Sequence, residues 1–285
     1  MIVITGATGA LGGAAADRLL RTLPADQLAV VVRDPARAWR FAARGVQVRY
    51  GDYREADSLP TAFEGADQLL LVSSSDPAAD AVGLHRVAID AAVKAAVGRI
   101  AYTSHQGAAL DSPFGPGHDH AATELLLAES GLAWTSLRNG FYAHSLAWLL
   151  GPWRETGVVA VPGDGPVSWT AREDLAEAAA AVLASDGGYD GPITLTAAAA
   201  PTFAQLAATA AELTGRPIGF EVVGEDEWVA RQVAGGQQER MARFLLGMYQ
   251  AARRGFFAGT DPLLAAILGR EPRTARDVLA ELASS

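Results

Sequence analysis

The sequence predicts an α/β fold built on a doubly wound parallel sheet, because strand patterns alternate with helix patterns over the first 140 residues. Helical patterns at 11–23, from Pro35, at 78–96 and at 120–130 separate the strands, as right-handed crossovers require. The run at 69–72 is apolar throughout, as expected for a parallel strand covered on both faces. Short apolar runs predict strands at 2–5, 28–32, 46–49, 69–72, 100–103 and 134–137.

The alternation loosens after Gly140, which predicts a second, smaller and mostly helical lobe. We expect a sheet domain at residues 1–150 and the lobe at 151–285, packed against it. The sequence does not fix this boundary sharply, and strands from the second part of the chain could pair with the sheet of the first. Short strands are predicted at 158–161 and 166–169, and helices at 172–184, 203–214, 225–233, 238–254 and 274–282.

Composition excludes several classes of function. A net charge of −9 argues against a nucleic-acid or anionic-membrane partner, because both require clustered basic surface. The chain has no cysteine, which excludes disulfides and thiolate chemistry. Its first apolar run is four residues long, too short for the core of a signal peptide, and no later run is long enough to span a bilayer. We therefore expect a cytoplasmic protein, with a homodimer left open.

A glycine-rich turn between the first predicted strand and helix is the strongest functional signal. Gly6 permits a sharp turn, Gly9 lets backbone approach a pyrophosphate, and Gly12 lets the helix lie close to the sheet. The amides at the start of that helix then face the phosphates. An ordinary βα turn is the alternative. The predicted contacts of a bound dinucleotide are Gly6, Thr8, Gly9, Ala10, Leu11 and Gly12.

The end of the second strand favours NADP(H) over NAD(H). NAD sites usually place an acidic residue there, whereas this strand ends in Arg33, with Arg37 one helical turn later. A guanidinium pairs with a 2′-phosphate, although Asp34 could instead serve NAD, and Arg33 could be a solvated charge near a helix end. Residues after the third and fourth strands are expected to border the adenine and the middle of the cofactor: Asp52, Tyr53, Ser73, Ser74 and Ser75.

Five segments together resemble one family, the NmrA-like atypical short-chain dehydrogenases, in particular its quinone oxidoreductases and triphenylmethane dye reductases. They are GATGALG at 6–12, VVRDPAR at 31–37, AYTS at 101–104, HDHAATE at 118–124 and LRNGFY at 137–142. The resemblance implies a Rossmann domain, a preference for NADPH and a C-terminal lobe that closes over a substrate cleft. It also implies that the nicotinamide lies beside Thr103, Ser104, His120, Asn139, Gly140, Phe141 and Tyr142.

The Tyr–Lys pair of the wider superfamily is missing, because the one lysine, Lys94, follows Asp90 by four residues. His120 is the candidate replacement, since it stands where related reductases have lysine, and its imidazole titrates near neutrality. Ser104 and Tyr142 complete the catalytic candidates. Without a strong proton donor, the favoured substrate is a quinone, because hydride transfer to a quinone gives a stabilised anion that needs little help from an acid. We therefore predict an NADPH-dependent oxidoreductase that acts on a quinone or a similar flat, electron-poor acceptor.

Alternatives remain open for several of these residues. His120 could only cap a helix, and Ser104 could only satisfy loop backbone. His118 and His120 match no strong zinc signature, so no metal is predicted. His85, His105 and His144 are isolated in the sequence, which favours structural roles, and for Trp148 and Trp153 core packing is favoured over a substrate wall. The whole chain could be an NADP(H)-binding redox sensor, or a biosynthetic enone or imine reductase.

Overall fold

The structure, a computed structural model, describes residues 1–74, 76–185 and 187–284. Its strands are β1 (Ile2–Thr5), β2 (Leu28–Val32), β3 (Gln47–Tyr50), β4 (Gln68–Leu71), β5 (Arg99–His105), β6 (Ala133–Asn139), β7 (Phe141–Tyr142), β8 (Val158–Val161), β9 (Trp169–Thr170), β10 (Gly191–Leu195) and β11 (Gly219–Val222). Its helices are α1 (Ala10–Leu19), α2 (Trp39–Ala42), α3 (Leu59–Phe63), α4 (Ala81–Lys94), α5 (Gly115–Glu129), α6 (Leu146–Leu149), α7 (Trp153–Thr156), α8 (Arg172–Ala184), α9 (Phe203–Thr214), α10 (Glu225–Ala234), α11 (Glu239–Arg253), α12 (Leu263–Leu268) and α13 (Ala275–Ser284).

A seven-stranded sheet in the order β10-β6-β5-β4-β1-β2-β3 organises the fold. Strand β1 pairs in parallel with β2 and β4, and β3 and β5 continue the parallel pairing on either side. Strands β1 and β2 are buried along their whole length, as expected where helices cover both faces. The order reverses direction beside β1, which confirms the predicted doubly wound sheet.

The chain forms two compact units that interleave along the sequence. The first unit contains Met1–Ser104, Asp119–Arg138 and Leu175–Ile193; the second contains His105–His118, Asn139–Asp174 and Thr194–Ser285. Strand β10 adds to the edge of the sheet next to β6, so a late strand does return to the sheet. The single boundary near residue 150 stays a prediction.

Each unit has its own apolar core. The first packs β-sheet side chains against α3 and α4, with Leu69, Phe63 and Tyr102 among its members. The second is rich in aromatic rings and includes Trp153, which confirms core packing for that residue. Trp148 is 51% exposed, so the prediction that it packs in the core is wrong. It is the third residue of the short helix α6, and the buried positions of that helix are Leu146 and Leu149.

Helix α5 begins earlier than the sequence pattern predicts. It starts at Gly115 rather than at His120, because Pro116 stands in its first turn, where a missing amide proton costs nothing. His120 therefore lies inside the helix, and the interpretation of His120 as a helix cap is wrong. Residues 35–42 form a 3₁₀ turn, Pro35–Ala38, followed by α2.

Candidate functional site

A cavity of about 340 Å³ lies in the first unit where β1, β2, β3 and β4 end. The carboxyl ends of parallel strands meet at this edge, which is where open α/β sheets bind ligands. Half of the residues predicted to contact the cofactor line it. The lining consists of Thr5, Gly6, Thr8, Gly9, Val31, Val32, Arg33, Arg37, Gly51, Asp52, Tyr53, Arg54, Val72, Ser73, Ser74, Asp76 and Leu84.

The glycine turn lines one side of this cavity with backbone atoms. Gly6 has φ of +62°, a left-handed conformation that favours glycine, and the amide of Gly9 donates to its carbonyl oxygen at 2.9 Å. A Cβ on Gly12 would stand 2.8 Å from that same oxygen, so only glycine lets α1 approach β1 this closely. Gly9 is the N-cap of α1, and Thr8, Gly9 and Ala10 are exposed, whereas Leu11 and Gly12 are buried. The exposed amides and the positive end of the helix suit a diphosphate.

Two arginines line the cavity beyond the end of β2. Arg33 and Arg37 are both exposed. Between them, Asp34 caps the 3₁₀ turn by accepting a hydrogen bond at Oδ1 from the amide of Ala36 at 3.0 Å. One oxygen of the carboxylate that could have bound a ribose hydroxyl therefore accepts within its own turn, while two guanidinium groups border the cavity. This arrangement favours a ligand that carries an additional phosphate.

The loop after β3 forms the opposite wall. The Tyr53 hydroxyl lies 2.6 Å from Thr5 Oγ1 and 2.9 Å from the carbonyl oxygen of Val72, so it ties this loop to β1 and to the residue that follows β4. Burial raises the pKa of Tyr53 and keeps its phenol neutral. Asp52 Oδ1 accepts from the amide of Arg54 at 2.9 Å. The contacts of Asp52 and Tyr53 with adenine remain predictions.

An ion pair at the same cavity was not predicted from the sequence. Arg54 Nη2 lies 3.1 Å from Asp76 Oδ2 and links the loops that follow β3 and β4. Position in the sequence was the available signal, because both residues stand within five positions of the end of a parallel strand.

The loop after β4 is anchored by its backbone amides. Ser73 N donates to Thr103 Oγ1 at 2.8 Å, and Ser74 N donates to His85 Nε2 at 2.9 Å. Thr103 is buried beside this loop and does not line the cavity. Ser75, also predicted to flank the cofactor, lies outside the described residues.

His120 takes part in a buried cluster with Tyr102 and His85. Its Nδ1 lies 2.7 Å from the Tyr102 hydroxyl, which is 3.4 Å from His85 Nδ1. His85 is almost fully buried, and burial lowers its pKa to about 4, so the ring is neutral. His85 is isolated only in the sequence; in the fold, it contacts the loop that lines the cavity.

Ser104 lies in a separate polar cluster around Glu124. Its hydroxyl donates to Glu124 Oε1 at 2.7 Å, as does that of Ser136, and Arg138 Nε donates to the same oxygen at 3.0 Å. The hydrogen bond to Glu124 raises the pKa of Arg138. This geometry supplies a structural use for the Ser104 hydroxyl, and its catalytic role stays a prediction.

The segment Asn139–Tyr142 belongs to the second unit. Phe141 packs among aromatic rings there, 5.4 Å from both His105 and Trp169 by ring centroids. Tyr142 stacks on His144 at 5.6 Å, and burial raises its pKa. Gly140 is required because a Cβ would meet Thr170 Oγ1. The predicted contacts of this segment with nicotinamide are not tested by this geometry.

Comparison with known proteins places this site in a family. Residues 6–186 match the sequence model of a family described as NAD(P)H-binding. The chain belongs to this family. It is 36% identical over 284 residues to quinone oxidoreductase 2 of Escherichia coli, covering 99% of this chain and 98% of that protein. It is 32% identical to an NAD(P)H azoreductase of Xenophilus azovorans, covering 96% and 95% of the two chains.

Solved structures of quinone oxidoreductases and triphenylmethane reductases have the same fold as this chain. The NADPH complex of an NADPH-dependent quinone oxidoreductase from Escherichia coli superposes with a TM-score of 0.89 at 36% identity, covering 100% of this chain and 99% of the other. The NADP(H) complex of the Citrobacter triphenylmethane reductase gives 0.88 at 31% identity, covering 99% and 100%. The resemblance to quinone oxidoreductases and triphenylmethane reductases is thereby confirmed. The protein is an NAD(P)H-dependent oxidoreductase of Rossmann type.

Within residues 1–74, 76–185 and 187–284, no cluster of three His, Asp or Glu side chains is arranged to hold a metal ion. No helix in the described part of the chain has the length and apolar character needed to cross a membrane.

Proposed function

We propose that this oxidoreductase uses NADPH in preference to NADH and reduces a quinone or a similarly flat, electron-poor acceptor. The observation that carries the cofactor choice is the pair Arg33 and Arg37 at the cavity, with Asp34 engaged in capping its own turn. The acceptor class rests on the quinone oxidoreductase, azoreductase and triphenylmethane reductase among the relatives.

Different residues of the first unit bind different parts of the cofactor. The exposed amides of the glycine turn bind the diphosphate, and Arg33 and Arg37 bind the 2′-phosphate. Tyr53 offers a flat apolar wall to the adenine, and Asp52 accepts from its amino group. NADPH, once bound, supplies the hydride. Geometry is then the main contribution of the protein, since a correctly oriented acceptor removes most of the entropic barrier.

His120 is the residue that we propose to assist the acceptor. Hydride addition places negative charge on an acceptor oxygen, and a neutral imidazole N–H stabilises that charge by hydrogen bonding. The roles predicted for Tyr142 and Phe141, which belong to the second unit, stay predictions. Ser104 is the weaker candidate, because its hydroxyl proton is already donated to Glu124.

Two other functions remain testable. A redox sensor of the NmrA type would bind NADPH and show no turnover, and a biosynthetic reductase would ignore quinones but reduce an enone or imine. Another relative, 30% identical over 290 residues, is the (4-alkanoyl-5-oxo-2,5-dihydrofuran-3-yl)methyl phosphate reductase of Streptomyces griseus, which supports the enone reductase as the second candidate. Steady-state NADPH oxidation with naphthoquinones, triphenylmethane dyes, azo dyes and enones separates the three. If NADPH binds tightly but no acceptor causes its oxidation, the redox sensor is the function that remains.

The cofactor preference has its own test in Arg33→Ala. We expect the KM for NADPH to rise at least tenfold and that for NADH to stay within twofold, because a charge-assisted hydrogen bond is worth about 1.5–3 kcal/mol. Arg21→Ala is the matched control, since Arg21 is an exposed arginine of the same unit that does not line the cavity. Equal effects on both cofactors would remove Arg33 from the 2′-phosphate site.

Location and assembly are also proposals. A cytoplasmic enzyme, with no nucleic-acid or membrane partner, is consistent with a net charge of −9. Light scattering of the purified protein tests the homodimer.

A further inference from the structure

A series of polar groups, each within 3.4 Å of the next, leads from the cofactor cavity to His120. It begins at the amide of Ser74, which lines the cavity and donates to His85 Nε2 at 2.9 Å. The other ring nitrogen of His85, Nδ1, lies 2.9 Å from Thr123 Oγ1 and 3.4 Å from the Tyr102 hydroxyl. That hydroxyl lies 2.7 Å from His120 Nδ1. All of these groups belong to the first unit.

The Ser74 amide, which begins the series, determines the direction of the hydrogen bonds that follow it. A backbone amide can only donate, so His85 Nε2 accepts and carries no proton. The neutral ring must then hold its proton on Nδ1, from which it donates to Thr123 Oγ1. The Thr123 hydroxyl donates in turn to the carbonyl oxygen of Asp119 at 2.8 Å. The tautomer of His85 is therefore fixed by the backbone that lines the cavity.

The Tyr102 phenol has two neighbours in this cluster that can accept its proton, because it also hydrogen-bonds with Thr123. His85 Nδ1 is a donor, so the phenol cannot donate to it, and His120 Nδ1 is the remaining nitrogen at hydrogen-bonding distance. Burial raises the pKa of Tyr102, and the nearby carboxylate of Glu124 raises it further, so the phenol keeps its proton. The Thr123 oxygen already accepts from His85 Nδ1, and an imidazole nitrogen is more basic than a hydroxyl oxygen, so the phenol donates to His120 Nδ1 at 2.7 Å.

We propose that Tyr102 and His85 are positioning residues that hold His120 as the neutral tautomer with its proton on Nε2. His120 then presents an N–H donor rather than a lone pair at the nitrogen that is not bonded to Tyr102. Such a donor stabilises charge on an acceptor oxygen without having to lose its proton. This proposal rests on the role of His120 in the proposed function, and it assigns to Tyr102 part of the work that a Tyr–Lys pair does elsewhere in the superfamily.

Nitrogen NMR measures the tautomers directly and does not depend on activity. The chain has five histidines, so long-range proton–nitrogen spectra of ¹⁵N-histidine-labelled protein can be assigned by single substitutions. At pH 7.5, in the presence and absence of NADP⁺, we expect His85 to be protonated on Nδ1 and His120 on Nε2. His120 protonated on Nδ1 in the wild-type protein would overturn the proposal.

Tyr102→Phe supplies the second test, because it removes the hydroxyl and keeps the ring. We expect His120 to become a mixture of tautomers, and kcat to fall roughly tenfold with the KM for NADPH within twofold, as expected for a misplaced catalytic group. Tyr50→Phe is the control, since it removes an exposed hydroxyl that bonds Glu55 in the same unit. An unchanged His120 tautomer in Tyr102→Phe would also refute the proposal.

The two proposals fail in different ways. If no acceptor is reduced, or if His120→Ala turns over like wild type, the proposed role of His120 is wrong, whatever the tautomers are. If the wild-type enzyme is active but His120 carries its proton on Nδ1, only the inference about Tyr102 and His85 fails.

Discussion

Substituting Gly12 by alanine should loosen the cofactor site by displacing helix α1 from strand β1. The new Cβ would lie 2.8 Å from the carbonyl oxygen of Gly6 and 2.9 Å from that of Thr5, and both atoms belong to backbone. Restoring ordinary contact requires the helix to move by about 0.6 Å. Overpacking of this kind costs about 1–3 kcal/mol, of which alanine returns about 1 kcal/mol through its better helix propensity. We expect a net loss of at most about 2 kcal/mol in the free energy of unfolding.

Gly12→Ala should weaken the binding of NADPH more than it lowers the free energy of unfolding. The amides at the start of α1 must point at a diphosphate, and losing one charge-assisted hydrogen bond of about 1.5–3 kcal/mol raises the Kd for NADPH roughly 10-fold to 150-fold. Isothermal titration gives the Kd, and urea unfolding gives the stability. Gly115→Ala is the matched control, because Gly115 is a helical glycine with open space around its Cβ position, so both quantities should stay near wild type. Wild-type affinity in Gly12→Ala would refute the close-approach argument.

Three further predictions concern buried polar groups of the first unit. Burial lowers the pKa of His85 to about 4, whereas the unfolded value is about 6.5, so the unfolded chain binds the proton first. Stability should therefore fall by up to about 1.4 kcal/mol per pH unit between pH 6.5 and 4, and His85→Gln should flatten this slope in urea titrations. Glu124→Gln leaves Arg138 without its charged partner, and calorimetry should show a loss on the order of 3 kcal/mol, whereas a loss below 0.5 kcal/mol would contradict the pairing. Tyr53→Phe removes the hydroxyl between Thr5 and Val72, so unfolding should become easier by about 1 kcal/mol while the Kd for NADPH changes less than threefold; an unchanged urea midpoint would count against that contact.

The parallel sheet and the cofactor cavity could be predicted because their signals are local. Strand β1, the glycine turn and helix α1 are consecutive, and β1 and β2 are observed at the predicted residues. Chain order also fixes where the loops after β3 and β4 come together, since parallel strands end at one edge of the sheet. That rule found Asp52, Tyr53 and Ser73 but passed over Arg54 and Asp76, because a charged loop residue looks solvated in the sequence.

The short helices of the second unit could not be predicted, although its strand β8 lies at the predicted residues 158–161. Helices α6, α7 and α12 have four to six residues, too few for an amphipathic period, and they exist because of tertiary packing. The helical pattern at 120–130 likewise hid the first turn of α5, where glycine and proline are normally read as breakers. Proline is tolerated in a first turn, so the helix extends back to Gly115.

The cluster of His85, Tyr102 and His120 shows what sequence reasoning could not reach about the catalytic candidate His120. Helix α4, strand β5 and helix α5 each contribute one of these residues, and each residue alone has an ordinary structural explanation. Only the fold brings the three side chains within hydrogen-bonding distance, with the amide of Ser74 setting the direction of the first bond. A buried series of donors and acceptors has few consistent arrangements, because every proton needs an acceptor. In the proposed arrangement, the protonation state of His120 depends on four separate segments of the chain, so the sequence around His120 alone could not predict it.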